Sequence, residues 1–172
     1  MQPDILHTYY QALMCDSEEQ YENLIKDLSD VVKKNKENPF AYNNLGLAYS
    51  EIGRLEEAEQ NFAHSLKIQK HPTPYKNLGM MMERNEWLDR ALTAFNHAIQ
   101  LNELDPTLLR CRGSLYGKLG RYEEAIFDYT KAIALDPNFA YSYLERSNLY
   151  KAIGKDELAT EDLSKYDVLS SI

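Results

Sequence analysis

Residues 120–137 read GRYEEAIFDYTKAIALDP, and their apolar side chains follow the period of an α-helix. Ala125, Tyr129, Ala132 and Ile133 are separated by four, three and one residues, which places them on one stripe of a helix. Small alanines that face bulky aromatic rings are typical of two antiparallel helices that interlock. The segment therefore predicts a helix that packs closely against a neighbouring helix.

The same pattern recurs along the chain. Gly46, Gly79, Gly113 and Ser147 follow one another at steps of 33, 34 and 34 residues. Columns of large or small residues keep the same steps: Tyr42, Tyr75, Leu109 and Tyr143; Tyr49, Met82, Tyr116 and Tyr150; Ala58, Ala91, Ala125 and Ala159; Phe62, Phe95, Tyr129 and Leu163. A fixed period of this length indicates repeated helix–turn–helix units.

Glycine and proline mark where these helices end and begin. One column between two helical stretches predicts a residue with positive φ, and it contains Gly53, Glu86, Gly120 and Gly154. Three units open with a proline that suits the first helical turn: Pro39, Pro72 and Pro106. Each unit thus reads as a helix, a tight turn, a second helix and a short link.

The segment from Pro39 to Tyr166 resembles the tetratricopeptide repeat family. The period, the first helix with its large residue, glycine and tyrosine, and the Ala-Phe-Ala second helix carry this resemblance. It implies an all-α fold, a right-handed superhelical array of helix-turn-helix repeats. The sequence departs from the family pattern at four positions: Met82, Glu86, Arg112 and Arg146.

We expect one solenoid domain with four clear repeats: repeat 1 (39–71), repeat 2 (72–105), repeat 3 (106–139) and repeat 4 (140–172). Residues 1–38 form either a degenerate repeat, with Ala12 and Cys15 in two of its columns, or a single capping helix. In repeat 4 polar residues replace the apolar ones expected to face a further repeat, which predicts a C-terminal cap. These replacements are Thr160, Glu161 and Asp167.

Composition excludes several classes of function. The chain has 19 Lys and Arg against 27 Asp and Glu, so its net charge of −8 disfavours binding to nucleic acid. No apolar run is long enough for a membrane span, and no signal sequence is visible, so we expect a cytoplasmic protein with Cys15 and Cys111 reduced.

No catalytic or cofactor motif is present, and we expect neither an enzyme nor a bound cofactor. His64 and His97 share one column, but helices about 8–10 Å apart cannot easily offer both rings to one zinc ion. We therefore interpret both histidines as solvated surface residues.

The resemblance implies that the first helices line a concave groove for a peptide or helix of a partner protein. Helix geometry places thirteen predicted binding residues there: Phe40, Asn43, Asn44, Leu47, Lys76, Asn77, Met80, Arg84, Arg110, Lys118, Tyr141, Asn148 and Lys151. With Glu51, Glu83 and Glu145 the groove carries a charge of +2 against −10 for the rest of the chain, which predicts an acidic ligand.

Asn44 and Asn77 resemble the asparagine ladder by which some family members hold a peptide backbone, with Lys76 and Arg110 on the carboxylates of the peptide. The sequence therefore predicts a non-catalytic, monomeric adaptor or scaffold that binds an extended acidic segment of a partner protein. The alternative is a structural subunit that associates with itself in a larger assembly. Light scattering at several concentrations separates the two.

Overall fold

The computed structural model describes residues 17–171, which contain nine α-helices and no β-strand. Ala12 and Cys15, expected in a degenerate repeat, lie outside the described residues. The helices are α1 Glu18–Lys34, α2 Pro39–Glu51, α3 Leu55–Ile68, α4 Pro72–Arg84, α5 Leu88–Leu101, α6 Pro106–Lys118, α7 Tyr122–Leu135, α8 Ala140–Ala152 and α9 Asp156–Ser170. The predicted all-α fold is confirmed for this part of the chain.

Each clear repeat contains two helices, from α2 and α3 in repeat 1 to α8 and α9 in repeat 4. Helix α1 lies in the N-terminal segment, and whether this segment is a full repeat stays a prediction. Across residues 17–171, no helix combines the length and apolar character needed to cross a bilayer.

Helices α2 and α6 begin where the sequence supplies capping side chains. Proline stands at the first turn of α2 and α6, as predicted. Asn38 caps α2, because its side-chain oxygen accepts a hydrogen bond from the Ala41 backbone N–H at 3.1 Å. Asp105 caps α6 in the same way, through the Thr107 N–H at 2.8 Å.

The turn between the two helices of each repeat has a residue with positive φ, as predicted. Gly53, Gly120 and Gly154 have φ of 75°, 71° and 73°. Glu86 fills the same turn in repeat 2 with φ of 61°, and among residues 17–171 it alone has a side chain at positive φ. The turn geometry is thus kept even where glycine is absent.

The chain divides into two compact units, Met1–Met81 and Met82–Ile172, here called the N-terminal and C-terminal units. In the N-terminal unit the core joins α1 and α2 through Leu24, Ile25, Leu28, Ala41, Leu45 and Ala48. Helices α2 and α3 approach closely at Gly46, where an added Cβ would lie 2.7 Å from the Phe62 ring. The missing side chain of Gly46 therefore lets these two helices approach closely.

In the C-terminal unit Ala125 and Tyr129 of α7 pack with Leu149 of α8 in a buried cluster. An added Cβ at Gly113 would lie 3.1 Å from the Tyr129 ring, so α6 and α7 also meet closely. Ser147 takes the equivalent place in α8, where its hydroxyl donates to the Ala159 carbonyl of α9 at 2.7 Å.

Candidate functional site

The predicted groove residues divide between the two compact units. We call those of the N-terminal unit the N-terminal face: Phe40, Asn43, Asn44, Leu47, Lys76, Asn77 and Met80. Those of the C-terminal unit, with the two acidic residues predicted beside them, form the C-terminal face: Glu83, Arg84, Arg110, Lys118, Tyr141, Glu145, Asn148 and Lys151.

Three asparagines form a buried layer in the N-terminal face. Asn43, Asn44 and Asn77 expose only 5%, 3% and 8% of their surface. The Asn77 amide donates to Asn43 Oδ1 at 3.1 Å, and the Asn43 amide donates to Asn44 Oδ1 at 3.1 Å. The sequence predicts Asn44 and Asn77 as ligands of a peptide backbone; the structure instead buries both and links α2 to α4 through these amides.

Two apolar side chains of the predicted set are exposed. Phe40 in the first turn of α2 and Met80 in α4 each expose 47% of their surface. Leu47 and Lys76 are half-buried. The exposure of Met80 contrasts with that of Met81 and Met82, which are both buried. The N-terminal face thus contains two exposed apolar side chains, a half-buried lysine and three hydrogen-bonded asparagines.

Two predicted cations of the C-terminal face are neutralised within the protein. Arg110 pairs with Asp136 at 3.3 Å, donates to the Thr107 hydroxyl at 3.1 Å and lies 4.0 Å above the Phe139 ring. Its side chain is only 17% exposed. The Lys118 ammonium lies 2.7 Å from the Glu83 carboxylate. Asp136 therefore lowers the charge of the C-terminal face below the predicted count, which already includes Glu83 but not Asp136.

Helix α8 presents an aromatic ring and a carboxylate to solvent. Tyr141 is 60% exposed, and its ring centroid lies 6.2 Å from that of Phe139 and 5.9 Å from that of Tyr166. Glu145 stands one turn later and is also exposed. Burial raises the pKa of the Tyr129 hydroxyl, and the negative charge of Glu145 raises it further, so Glu145 faces α7 across this surface.

Sequence reasoning missed two buried ion pairs in the C-terminal unit. Arg112 of α6 donates to both carboxylate oxygens of Asp128 in α7, at 2.7 and 2.8 Å, and to Asn96 of α5 at 2.8 Å. The hydrogen bonds that Arg112 donates to Asp128 raise the pKa of Arg112. A signal was present, because repeats 3 and 4 both have an Arg followed sixteen residues later by an Asp.

The second pair repeats this arrangement in repeat 4. Arg146 donates to both oxygens of Asp162 at 2.7 Å and to the Thr130 hydroxyl of the preceding repeat at 2.9 Å. In repeats 1 and 2 the arginine position is Leu45 and Leu78. The ion pairs therefore occupy a helix-packing position and are not a ligand site.

His64 and His97 are exposed, and the His64 ring lies 4.1 Å from that of Tyr42. Among residues 17–171, no group of three or more His, Cys, Asp or Glu side chains is placed to hold a metal ion. Cys111 is half-buried, and Cys15 lies outside the described residues. Trp87 is partly exposed, and the Arg90 guanidinium lies 5.0 Å above the centre of its ring.

Known proteins share this repeat. Tetratricopeptide repeat models match residues 28–60 and 106–139. The photosystem I assembly protein Ycf3 of Prochlorococcus marinus (strain MIT 9211) is 27% identical, with 80% of this chain and 87% of Ycf3 covered. The BBSome complex member BBS4 of Bos taurus is 23% identical over 85% of this chain, which spans only 28% of the length of BBS4.

Solved structures are similar over nearly the whole chain. A crystal structure of MamA has a TM-score of 0.82 and 21% identity, covering 99% of this chain and 97% of MamA. The crystal structure of YrrB, described as a TPR protein with an unusual peptide-binding site, has a TM-score of 0.71 and 21% identity, covering 96% and 86%. Two matched repeats, the regular period within the chain and these folds agree. The chain belongs to the tetratricopeptide repeat family.

Proposed function

We propose that this protein is a non-catalytic scaffold that binds an extended segment of a partner protein on its first helices. The observation that carries the proposal is the pair of apolar side chains, Phe40 and Met80, each 47% exposed on the N-terminal face. Partly exposed apolar anchors that a partner can cover supply much of the affinity of protein interfaces. The peptide-binding site described for YrrB and the assembly role in the name of Ycf3 support this proposal.

The N-terminal face also favours a particular composition of the partner segment. Phe40, Leu47 and Met80 provide apolar contacts, and Lys76 provides a positive charge beside them. The hydrogen bond between Asn77 and Asn43 fixes α4 against α2. The distance between the side chains that these two helices contribute to the N-terminal face is therefore fixed as well. The proposed ligand is therefore an extended segment that combines apolar and acidic side chains.

The test begins with a displayed library of short random peptides, from which the purified protein should enrich acidic, apolar sequences. The enriched peptide is then titrated against Phe40→Ala/Met80→Ala. We expect its affinity to fall more than about fivefold, because truncating interface anchors commonly costs over 1 kcal/mol. Leu104→Ala is the matched control, since Leu104 is 73% exposed outside both faces.

The charge preference needs its own comparison. Lys76→Glu should weaken the selected acidic peptide, whereas Lys67→Glu, the same charge reversal on an exposed residue of α3, should leave its affinity unchanged. Equal affinity of wild type and Phe40→Ala/Met80→Ala would show that the partner binds elsewhere. Light scattering that detects reversible oligomers would favour a self-associating subunit.

A further inference from the structure

The C-terminal face differs from the N-terminal face in the charge it offers to a ligand. Arg110 and Lys118 are paired with Asp136 and Glu83. Glu145 is exposed, and among residues 17–171 no cation stands within ion-pair distance of it. The first two turns of α8 therefore carry an uncompensated negative charge where the sequence predicts a basic groove.

An aromatic ring accompanies this carboxylate. Tyr141 and Glu145 are four residues apart in α8, so both side chains lie on one side of the helix, with Cβ atoms about 5–6 Å apart. Tyr166 meets Tyr141 at a ring angle of 61°, an edge contact that holds the Tyr141 ring in place while 60% of the residue stays exposed.

The other cations of α8 lie away from the Tyr141 ring and the Glu145 carboxylate or are already paired. Lys151 lies six residues beyond Glu145, which is about 9 Å along the helix axis and about 120° around it. Arg146 is occupied by Asp162 and Thr130. The exposed ring and carboxylate are therefore complementary to a cation, since an aromatic face attracts Lys and Arg and a carboxylate pairs with them.

We infer that the C-terminal face binds a basic segment of a partner protein, with an arginine or lysine side chain placed over the Tyr141 ring and against Glu145. This inference rests on the proposed scaffold function and adds to it a second, oppositely charged ligand site. The acidic and apolar segment belongs to the N-terminal face, and the basic segment belongs to the C-terminal face.

The probe is an acetylated, amidated peptide of alternating arginine and glycine, carrying a neutral dye for fluorescence anisotropy; a glutamate–glycine peptide is its counterpart. The wild-type protein should prefer the arginine peptide. Glu145→Gln and Tyr141→Ala should each weaken it about threefold to fivefold, the upper range for an exposed ion pair or cation–π contact.

Two variants separate this site from general attraction to an acidic protein. Glu161→Gln removes an exposed carboxylate from α9, and Phe127→Ala removes an aromatic residue that is 56% exposed on α7. Neither should change the affinity for the arginine peptide. Equal weakening by Glu145→Gln and Glu161→Gln would overturn the inference, as would failure of the wild type to prefer arginine over glutamate.

The acidic peptide selected on the N-terminal face distinguishes the two proposals. It should bind Glu145→Gln with wild-type affinity. If it binds through Phe40 and Met80 while the arginine peptide does not bind, this inference fails and the proposed scaffold function stands. If the arginine peptide depends on Glu145 while no acidic peptide binds, the assignment of the N-terminal face fails and the basic-segment site stands.

Discussion

Glu86 shows how a single residue can depart from a repeat without changing its geometry. Its φ of 61° matches the glycines of the equivalent turns, although a side chain in this region costs about 1–2 kcal/mol. Glu86→Gly should therefore raise the free energy of unfolding, by less than about 1 kcal/mol, because glycine also gains entropy in the unfolded chain.

Urea denaturation followed by circular dichroism measures this change. Glu103→Gly is the matched control, an exposed glutamate at a position without positive φ, and it should not stabilise the protein. If Glu86→Gly had the same urea midpoint as the wild type, the positive φ of Glu86 would not destabilise the protein.

The Arg112–Asp128 ion pair contains a fully buried carboxylate, that of Asp128. Removing one partner of a buried ion pair leaves an uncompensated charge and costs about 3–5 kcal/mol. Asp128→Ala should therefore strongly destabilise the protein. Arg112→Leu/Asp128→Ala recreates the residues of repeat 2, Leu78 and Ala94, and should recover most of the loss.

Thermal unfolding of the two single variants and the double variant forms a double-mutant cycle. A double variant no more stable than Asp128→Ala would contradict this expectation, and would show that the ion pair cannot be exchanged for the apolar packing of repeat 2.

At the scale of the helices, the alanine column predicts where two helices meet most closely. Ala125 is fully buried in α7, whereas Ala134 of the same helix is exposed. Ala125→Leu should overpack this contact and lower the free energy of unfolding by about 1–3 kcal/mol. Ala134→Leu should stay within about 0.5 kcal/mol of wild type in the same denaturation experiment. If Ala134→Leu destabilised the protein more than Ala125→Leu, the alignment of the repeats on which the alanine column rests would be wrong.

Most of the helices follow from the sequence because spacing, caps and turn residues act locally. The start of α2 at Pro39, its cap by Asn38 and the turn at Gly53 each depend on neighbours within a few residues. The hydrogen-bond partners of polar side chains do not follow from the sequence, because they depend on the distance between helices. A shared column places Asn44 and Asn77 on one face, but the column cannot tell whether they meet solvent or another asparagine.

For the whole molecule, the net charge follows from the sequence, but the charge that a partner can reach depends on internal ion pairs. The N-terminal unit has eight Lys and Arg against twelve Asp and Glu, and the C-terminal unit has eleven against fifteen, so each carries −4. Counting residues also predicts a basic groove, yet Arg110 and Lys118 are paired internally. Sequence alone locates the charges but does not show which of them a partner can reach.

This charge distribution predicts different salt dependences for the two peptide probes. For the arginine peptide, the local attraction of Glu145 and the negative charge of the whole protein act together, so added salt should weaken binding steeply. For the acidic peptide, attraction by Lys76 is opposed by the surrounding negative charge. Salt screens both this attraction and this repulsion, over about 10 Å at 0.1 M, so the affinity for the acidic peptide should change little. Titrating both peptides through a salt series tests this. An acidic peptide whose affinity fell as steeply as that of the arginine peptide would show that a basic groove governs binding, as residue counting predicts, and that the internal ion pairs do not shield it.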